Sequence, residues 1–331
     1  MRKKGVIPAF MVAFFLLHFA ISEGQKKRLD VPFVATPHNV VVEMLRIAEV
    51  QKGDVLYDLG CGDGRIVIAA ALKAGAHAVG VEIDPQRIRE SQANAVKARV
   101  EHLVKFLEQD FFKTDLREAS VVTLYLLPFL NVRLRPKLLA ELKPGSRIVS
   151  HDFRMGEWIP DRSLFVLSGK RLHTLYCWVV PANVSGTWTL KLKAGFNEYS
   201  YNLQLDQVFQ FVQGDLTAGE SRFLLKDVQL TGDRLHFTVE WKKRGKKIRL
   251  VFGGRTDGHT MEGTAEAKAD NNALEGTWKA ERDPATAKPI DIMEWRSPRS
   301  SGISHEKVQA VNRVAGSHVI YRNFFSFTQK R

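Results

Sequence analysis

VLYDLGCGDGRIVIAAA, from Val55 to Ala71, is the stretch that decides the fold. An apolar run that carries Asp58 is followed by alternating glycines and then by apolar residues at helical spacing, which predicts a strand, a tight turn and a helix. The glycines of the turn are Gly60, Gly62 and Gly64. Glycine lets the backbone approach a ligand closely, and the first N–H groups of the following helix face the same point. We therefore expect a ligand-binding site at this turn.

The spacing of the glycines separates two kinds of nucleotide site. A dinucleotide fingerprint, Gly-x-Gly-x-x-Gly, needs its third glycine where this chain has Arg65. The pattern here is Asp-x-Gly-x-Gly-x-Gly, and VGVEIDP (residues 79–85) closes the next predicted strand. In these motifs the sequence resembles the class I, seven-strand S-adenosylmethionine (SAM) dependent methyltransferases. The resemblance implies a Rossmann-like, doubly wound seven-strand sheet and SAM as the methyl donor.

Length, charge and cysteine content limit the partners. The 331 residues, 44% of them hydrophobic, are enough for two domains with cores. The formal charge of +13 is concentrated at the ends, because residues 1–30 carry six Lys/Arg against two acids and residues 294–331 carry seven against two. This distribution argues against a nucleic-acid groove, so no nucleic-acid partner is expected. The two cysteines cannot build a disulfide framework or a four-cysteine zinc site, and no metal is expected.

The N-terminus predicts a targeting segment. Three basic residues precede an apolar run over residues 6–21, and Ala20-Ile21-Ser22 offers the small residues of a cleavage site. Basic residues also follow the run, so the positive-inside rule gives no orientation, and the run is slightly short for a membrane span. We expect residues 1–30 to be a signal peptide or an N-terminal membrane anchor that takes the chain to the cell envelope, with the cytoplasmic face as an open alternative.

Residues 31–183 alternate between strand and helix patterns. Strands are predicted at 78–82, 104–108, 121–126 and 147–151, with helices at 85–98 and 132–142 between them. Such alternation indicates a parallel, doubly wound sheet. Segments 163–168 and 171–180 have no helix between them and predict an antiparallel hairpin. By resemblance, this hairpin closes the sheet of a methyltransferase domain over residues 31–183.

From residue 184 the pattern changes to short alternating segments separated by Gly, Asp and Asn turns. This predicts a smaller all-β, antiparallel barrel or sandwich domain over residues 184–293. Gly186-Thr187-Trp188 and Gly276-Thr277-Trp278 bracket it, so the first and last strands are expected to pair. The basic tail, 294–331, shows no sustained period and is predicted to be disordered.

The cofactor residues follow partly from chemistry and partly from the resemblance. A carboxylate at the tip of the second strand, Glu82, can accept from both ribose hydroxyls. The resemblance implies that Asp58 and the glycine turn hold the amino-acid half of SAM, that Asp110 meets the adenine amino group and that Phe111 lies beside the ring. Thr36 is predicted to cap a helix that begins at Pro37 and covers the sheet or closes over the cofactor. The cofactor-binding candidates are Thr36, Asp58, Gly60, Cys61, Gly62, Gly64, Glu82, Asp110 and Phe111. Asp84 is interpreted as a helix N-cap rather than a ligand contact.

The sequence at the end of the fourth strand argues against adenine and glutamine as the methyl acceptor. Enzymes that methylate adenine or glutamine nitrogen carry Asn/Asp-Pro-Pro-aromatic there, whereas this chain has LYLLP (residues 124–128). Together, VPFVATPHNVVVEML, DLGCGDGRIVIAAA and VVTLYLLP resemble bacterial relatives of the protein lysine methyltransferases that include the ATP synthase c-subunit enzyme and archaeal enzymes. A lysine must lose a proton before attack, and Tyr125 and the His151-Asp152 pair at strand ends are the candidate catalytic groups. Tyr125 as pocket wall and His151 as a satisfied loop histidine are the alternatives.

The sequence thus predicts a SAM-dependent methyltransferase that N-methylates lysine in a protein substrate by in-line methyl transfer. A small-molecule methyltransferase is one alternative. An envelope binding protein, in which the β-domain acts and the SAM site is vestigial, is the other.

Overall fold

Two β-sheets, one of seven strands and one of nine, form the framework of the described chain. The computed structural model describes residues 33–243, 246–269 and 272–290. The predicted N-terminal segment, 1–30, and the predicted basic tail, 294–331, lie outside these residues. Both sheets belong to one compact unit that begins at Val34.

The first sheet has the predicted Rossmann-like topology, with strand order β3-β2-β1-β4-β5-β7-β6. Its strands are β1 (Val55–Leu59), β2 (His77–Glu82), β3 (Val104–Glu108), β4 (Val121–Leu124), β5 (Arg147–His151), β6 (Arg162–Ser168) and β7 (Arg171–Val179). Its helices are α1 (His38–Ile47), α2 (Arg65–Ala74), α3 (Pro85–Ala98) and α4 (Pro128–Glu141). Strands β1 to β5 run parallel, whereas β7 is antiparallel to both β5 and β6, which confirms the predicted hairpin.

Strand order reverses at β1, which lies between β2 and β4. In open α/β sheets such a reversal leaves a crevice at the carboxyl ends of the strands, where ligands bind. Buried Leu56, Val121 and Val149 pack under α1 and α2 on one face of the sheet. Apolar residues in adjacent strands therefore fix the register that brings Asp58, Glu82 and Tyr125 to one edge.

Among the predicted element ends that differ from the structure, three lie near the site. Helix α1 begins at His38 with Pro37 as its N-cap, and no side chain caps it. The predicted Thr36 cap is wrong because the Thr36 hydroxyl contacts His151 instead. Strand β4 ends at Leu124 and α4 begins at Pro128, earlier than predicted, since proline is well suited to the first helical position.

The second sheet is antiparallel throughout and follows the first after a short linker. Its strands are β8 (Gly186–Ala194), β9 (Asn197–Val208), β10 (Phe211–Ala218), β11 (Ser221–Leu224), β12 (Lys226–Thr231), β13 (Arg234–Lys243), β14 (Lys246–Thr256), β15 (Thr260–Ala269) and β16 (Asn272–Arg282). Strands β8 and β16 pair, as the sequence predicts for the first and last strands. The sequence did not predict β10, β11, β12 or β15, whose glycine, alanine and charged residues weaken the alternation.

The nine strands close into a barrel at Leu225. Strand β11 pairs with β10, and β12 pairs with β13, while β11 and β12 run in the same direction on either side of this single residue. The backbone N–H of Leu225 donates to the Gly214 carbonyl at 3.0 Å. One long strand therefore changes partners at Leu225 and joins the two ends of the second sheet, which favours the predicted barrel over the sandwich.

Tryptophans fill the barrel interior. Trp188 is fully buried, donates to the Val184 carbonyl at 2.9 Å and lies 5.3 Å under the Arg282 guanidinium. The Trp278 indole donates to the carbonyls of Gly253 and Thr264. Each buried indole N–H thus has an acceptor, so both rings stabilise the core without an unsatisfied donor.

One end of the barrel packs on the loop that follows β5. Phe209, in the β9–β10 turn, stacks on Trp158 with ring centroids 5.5 Å apart and an interplanar angle of 11°. Gln210 accepts from the Trp158 indole at 3.0 Å and donates to the Ile159 carbonyl at 2.7 Å. The barrel and the first sheet therefore share a buried aromatic junction.

No helix within the described residues is long and apolar enough to cross a membrane.

Truncating Phe209 should destabilise the whole chain. We expect Phe209→Ala to cost about 3–5 kcal/mol, because a buried ring that stacks on Trp158 is replaced by a cavity. Phe196→Ala is the matched control, since Phe196 is fully exposed at a hairpin tip and its loss should change stability by no more than about 0.5 kcal/mol. Urea unfolding measures both, and equal midpoints for the two variants would contradict a shared junction.

Candidate functional site

The glycine turn lies between β1 and α2 and has a backbone that only glycine adopts easily. Gly60, Gly62 and Gly64 have φ of +83°, +54° and +78°. A Cβ on Gly64 would lie 2.9 Å from side-chain atoms of Ser91 and Phe106. The N–H groups of Gly60 and Cys61 donate to the Val81 carbonyl at 2.8 and 3.1 Å. The turn is thereby held against the end of β2.

Glu82 is fixed beside this turn by backbone donors. Its Oε2 accepts from Gly62 N–H at 3.1 Å, and its Oε1 accepts from Ile83 N–H at 2.8 Å and Asp84 N–H at 3.1 Å. A carboxylate offers about four acceptor positions and three are occupied by these backbone donors, so about one remains for a ribose hydroxyl. Glu82 therefore lies beside the glycine turn, and its contact with the ribose stays a prediction.

Asp58 is a buried acid to which no basic side chain is paired among the described residues. Its Oδ1 accepts from the Thr123 hydroxyl at 2.7 Å. Burial, opposed by the Thr123 hydrogen bond and reinforced by repulsion from Glu82 and Asp63, raises the pKa of Asp58 to about 7. A cationic ligand would stabilise the charged form of the buried Asp58 carboxylate, and SAM carries two cationic groups, an ammonium and a sulfonium. The residues present therefore fit the amino-acid half of SAM.

Cys61 contributes packing to the turn. Its side chain is buried over Gly80, where an added Cβ would lie 2.6 Å from Cys61 Sγ. Burial, together with the nearby acids, raises the pKa of the Cys61 thiol far above its ordinary range. The thiol is thus a neutral wall of the turn rather than a reactive group.

The predicted adenine residues follow β3. Asp110 caps a short 3₁₀ turn, with Oδ1 accepting from Phe112 N–H at 2.9 Å, and Phe111 begins that turn. The backbone N–H of Gln109 donates to the Glu82 carbonyl at 2.9 Å, which ties this segment to the end of β2, and the adenine contacts of Asp110 and Phe111 stay predictions.

Asp84, at the start of α3, accepts from Gln86 N–H at 2.8 Å. This hydrogen bond confirms the interpretation of Asp84 as an N-cap.

Thr36 connects the glycine turn to β5. Its carbonyl accepts from Arg65 Nη1 at 2.8 Å, and Arg65 also pairs with Asp63 at 2.5 Å. Its hydroxyl lies 3.1 Å from His151 Nδ1. Both polar groups of Thr36 are therefore engaged with protein, and direct contact of its side chain with the cofactor stays a prediction.

The two candidate catalytic groups lie together at the carboxyl ends of β4 and β5. The rings of Tyr125 and His151 have centroids 3.9 Å apart and are tilted by 31°, and Phe153 also stacks on Tyr125, with a centroid distance of 6.2 Å. Burial raises the pKa of Tyr125, with a further increase from Asp152, while Arg171 opposes both. Tyr125 is therefore a neutral phenol over the physiological pH range.

His151 is fully buried and its two ring nitrogens are both engaged. Nδ1 faces the Thr36 hydroxyl, and Nε2 lies 2.8 Å from Nδ1 of His173 on β7. Sequence reasoning missed His173. The available signal was the alternation of β7, which puts His173 on the same buried face as Leu175 and Cys177.

Asp152 joins this cluster from the residue after β5. Its Oδ2 lies 3.1 Å from both His173 Nδ1 and Arg171 Nη2, and its Oδ1 accepts from Thr174 N–H at 2.8 Å. Burial alone would raise the pKa of Asp152, but the Thr174 N–H and the two imidazoles bring it below its ordinary value. Asp152 is thus an ionised hub for donors from β7.

His151, Asp152 and His173 are also the one group of His, Cys, Asp and Glu side chains within the described residues whose spacing suits a metal ion, with ligand atoms within 4.8 Å of one another. The two imidazole nitrogens, 2.8 Å apart, are at hydrogen-bond distance. The three side chains therefore satisfy one another by direct hydrogen bonds.

Comparison with known proteins finds methyltransferases among the chain's relatives. The ANTKMT methyltransferase domain profile matches residues 58–162. The chain is 48% identical over 151 residues to a protein-lysine N-methyltransferase of Saccharolobus islandicus, an alignment that spans 45% of this chain and 94% of that protein. It is 30% identical over 178 residues to the lysine N-methyltransferase of the ATP synthase c-subunit from Rattus norvegicus, spanning 54% and 80%. A crystal structure of an RNA methyltransferase from Salinibacter ruber with S-adenosyl-L-homocysteine covers 44% of this chain and 93% of its own, with 53% identity and a TM-score of 0.42.

SAM binding should weaken as the pH falls below about 7. The apo pKa of Asp58, about 7, will drop when a cation binds beside it, so SAM binding releases a proton and affinity declines by up to about tenfold per pH unit below that value. Calorimetry between about pH 5.5 and 7.5 measures this slope. Asp58→Asn should remove it, while the exposed-acid control Asp115→Asn should retain it. A flat profile for the unmodified protein would contradict the role of Asp58.

Proposed function

The chain belongs to the protein-lysine N-methyltransferase family that includes the enzymes of the ATP synthase c-subunit, and on that premise we propose that it methylates the ε-amine of lysine in a protein substrate. It is a class I methyltransferase that uses SAM as its methyl donor.

One observation carries the proposal: the donor residues and the acceptor residues share one edge of the sheet. In register, Asp58 is beside Thr123 on β4, and Leu124 is beside Ser150 on β5. The glycine turn therefore follows β1, Tyr125 follows β4, and His151 ends β5, along adjacent strands. This supports a donor crevice and an acceptor wall that meet at the carboxyl ends of β1 and β4.

These residues need to align the lysine amine with the methyl group and to stabilise the positive charge of the donor. SAM, when bound, would supply an activated methyl group on its sulfonium. Asp58 and Glu82 orient the donor, while the phenol oxygen of Tyr125 can accept a hydrogen bond from the amine and orient its lone pair. Because Tyr125 stays neutral, it holds the amine without taking its proton, and that proton leaves to solvent before attack.

The chain should transfer label from SAM to lysine in protein. We expect purified protein, incubated with radiolabelled SAM and fractionated cell extract, to yield methyl-lysine on acid hydrolysis. Glu82→Ala should lose at least about tenfold in SAM affinity and most labelling, because the ribose loses a charged acceptor. Glu108→Ala is the matched control, since Glu108 is the exposed register partner of Glu82 on β3.

Three results would count against this proposal. Label confined to RNA would indicate a nucleic-acid acceptor, and label confined to small metabolites would indicate the small-molecule alternative. Absence of SAM binding by calorimetry would indicate a vestigial site.

We also propose that the apolar run at residues 6–21 associates the enzyme with the membrane and places it in the cell envelope. The sequence supports this through Arg2, Lys3 and Lys4, which precede the run as in a targeting segment.

Cell fractionation tests this localisation. We expect the full chain in the membrane or exported fraction, and a Leu16→Arg, Leu17→Arg double variant in the cytosol, because two charges in the run cost about 5–7 kcal/mol on insertion. Lys26→Gln, just beyond the run, should fractionate like the unmodified chain. Recovery of the unmodified chain in the cytosol would overturn the proposal.

A further inference from the structure

His151 and the polar side chains around it take no direct part in the proposed methyl transfer. We propose that Asp152, His173, His151 and Thr36 form a positioning network that fixes Tyr125 at the acceptor nitrogen. This inference rests on the proposed function, because it acts through Tyr125. It assigns His151 to positioning rather than to proton transfer and adds His173, which is remote in sequence.

The backbone at Asp152 is the first observation. Its φ is +60°, and Phe153 N–H donates to the His151 carbonyl at 2.8 Å, so residues 151–153 form a γ-turn with Asp152 at its centre. Such turns with positive φ are rare and strained, and they persist only where the surroundings hold them. Here β7 does so, since the N–H of Asp152 donates to the Thr174 carbonyl at 2.7 Å and the Thr174 N–H donates back to its carboxylate.

The hydrogen-bond pattern fixes the proton positions in the network. An ionised Asp152 is only an acceptor, so His173 Nδ1, 3.1 Å away, must carry a proton. The same N–H faces His151 Nε2 at 2.8 Å, which must then be the acceptor. The proton of a neutral His151 is left on Nδ1, where it donates to the Thr36 hydroxyl. Each histidine therefore has one tautomer that satisfies all of its neighbours.

The charged groups that face His151 keep it neutral. Burial lowers the pKa of His151 well below its ordinary value, His173 and Arg171 lower it further, and only Asp152 opposes them. Both ring nitrogens are engaged and the ring is fully buried, so His151 has no free lone pair for a substrate proton. The His151 ring packs against the Tyr125 ring, with the two ring centroids 3.9 Å apart, and so restricts the movement of Tyr125.

Arg171 also links Asp152 to Tyr125. Its guanidinium donates to Asp152 Oδ2 at 3.1 Å, and its charge lowers the pKa of the Tyr125 phenol against the effect of burial. Asp152 thus positions the ring of Tyr125 through the two histidines and holds the cation that acts on its phenol. Loss of the carboxylate should release the Tyr125 ring, and misplacement of a reacting geometry by about 1 Å can cost about a hundredfold in rate.

Two variants test the network in the full-length enzyme. Asp152→Asn keeps a residue that tolerates positive φ while removing the charge, and His173→Phe keeps the ring volume while removing the hydrogen bonds. We expect kcat for the protein substrate to fall roughly tenfold to a hundredfold in both. The SAM Kd should stay within about twofold, because the glycine turn and Glu82 are untouched. The exposed-histidine control, His102→Asn, should leave both quantities unchanged.

Long-range ¹H–¹⁵N spectra of the imidazoles give a readout that a merely structural role would not move. In the unmodified enzyme both His151 and His173 should be neutral with the proton on Nδ1, and Asp152→Asn should abolish the single tautomer of His173. Unchanged kcat in both variants, mixed tautomers in the unmodified enzyme, or stoichiometric metal whose removal by chelation shifts these resonances would overturn the inference. An unmodified enzyme that labels no protein would refute the proposed function instead, while the spectra still decide whether the network exists.

Discussion

The glycine turn between β1 and α2 is the constraint on which the rest of the site depends. Its left-handed backbone brings the N–H groups of Gly60 and Cys61 onto the Val81 carbonyl and Gly62 N–H onto Glu82, so donors of one strand end satisfy acceptors of the next. Side chains at Gly64 and Gly80 would clash with Phe106, so the turn can pack against β2 and β3 only because both residues are glycines. The same turn lies beside the buried Asp58, whose charged form a cationic ligand would stabilise.

The parts of this molecule that the sequence predicted are those that depend on neighbours along the chain. Helix α3 has the predicted bounds because Asp84 and Pro85 form a cap and a first turn, both local signals. The same holds for β3 and β5, where apolar residues are flanked by turns. The position of Glu82 beside the turn was predictable because the strand that carries it is the next strand after the glycine motif, with only α2 between them.

Contacts between distant segments were not predictable in this way. His173 meets His151 because β7 pairs antiparallel with β5, and no local pattern marks that register. The Thr36 hydroxyl had two possible partners, a helix N-terminus or His151, and only the packing of α1 against the sheet decides between them. Barrel closure at Leu225 likewise depends on a single strand that pairs with β10 and then β13, which alternation alone does not reveal.

The barrel and the strained turn at Asp152 are joined by one short segment, residues 152–159. It begins at the γ-turn and ends at Trp158 and Ile159, which the barrel holds through Phe209 and Gln210. Between them, the Met155 carbonyl accepts from buried Arg135 at 3.0 Å. A strained conformation persists only when its surroundings over-determine it, and here β7 restrains one side of the segment while the barrel restrains the other. The second domain therefore does more than extend the chain: it holds the loop that carries Asp152, and through that loop the side of the site where we propose that the acceptor binds.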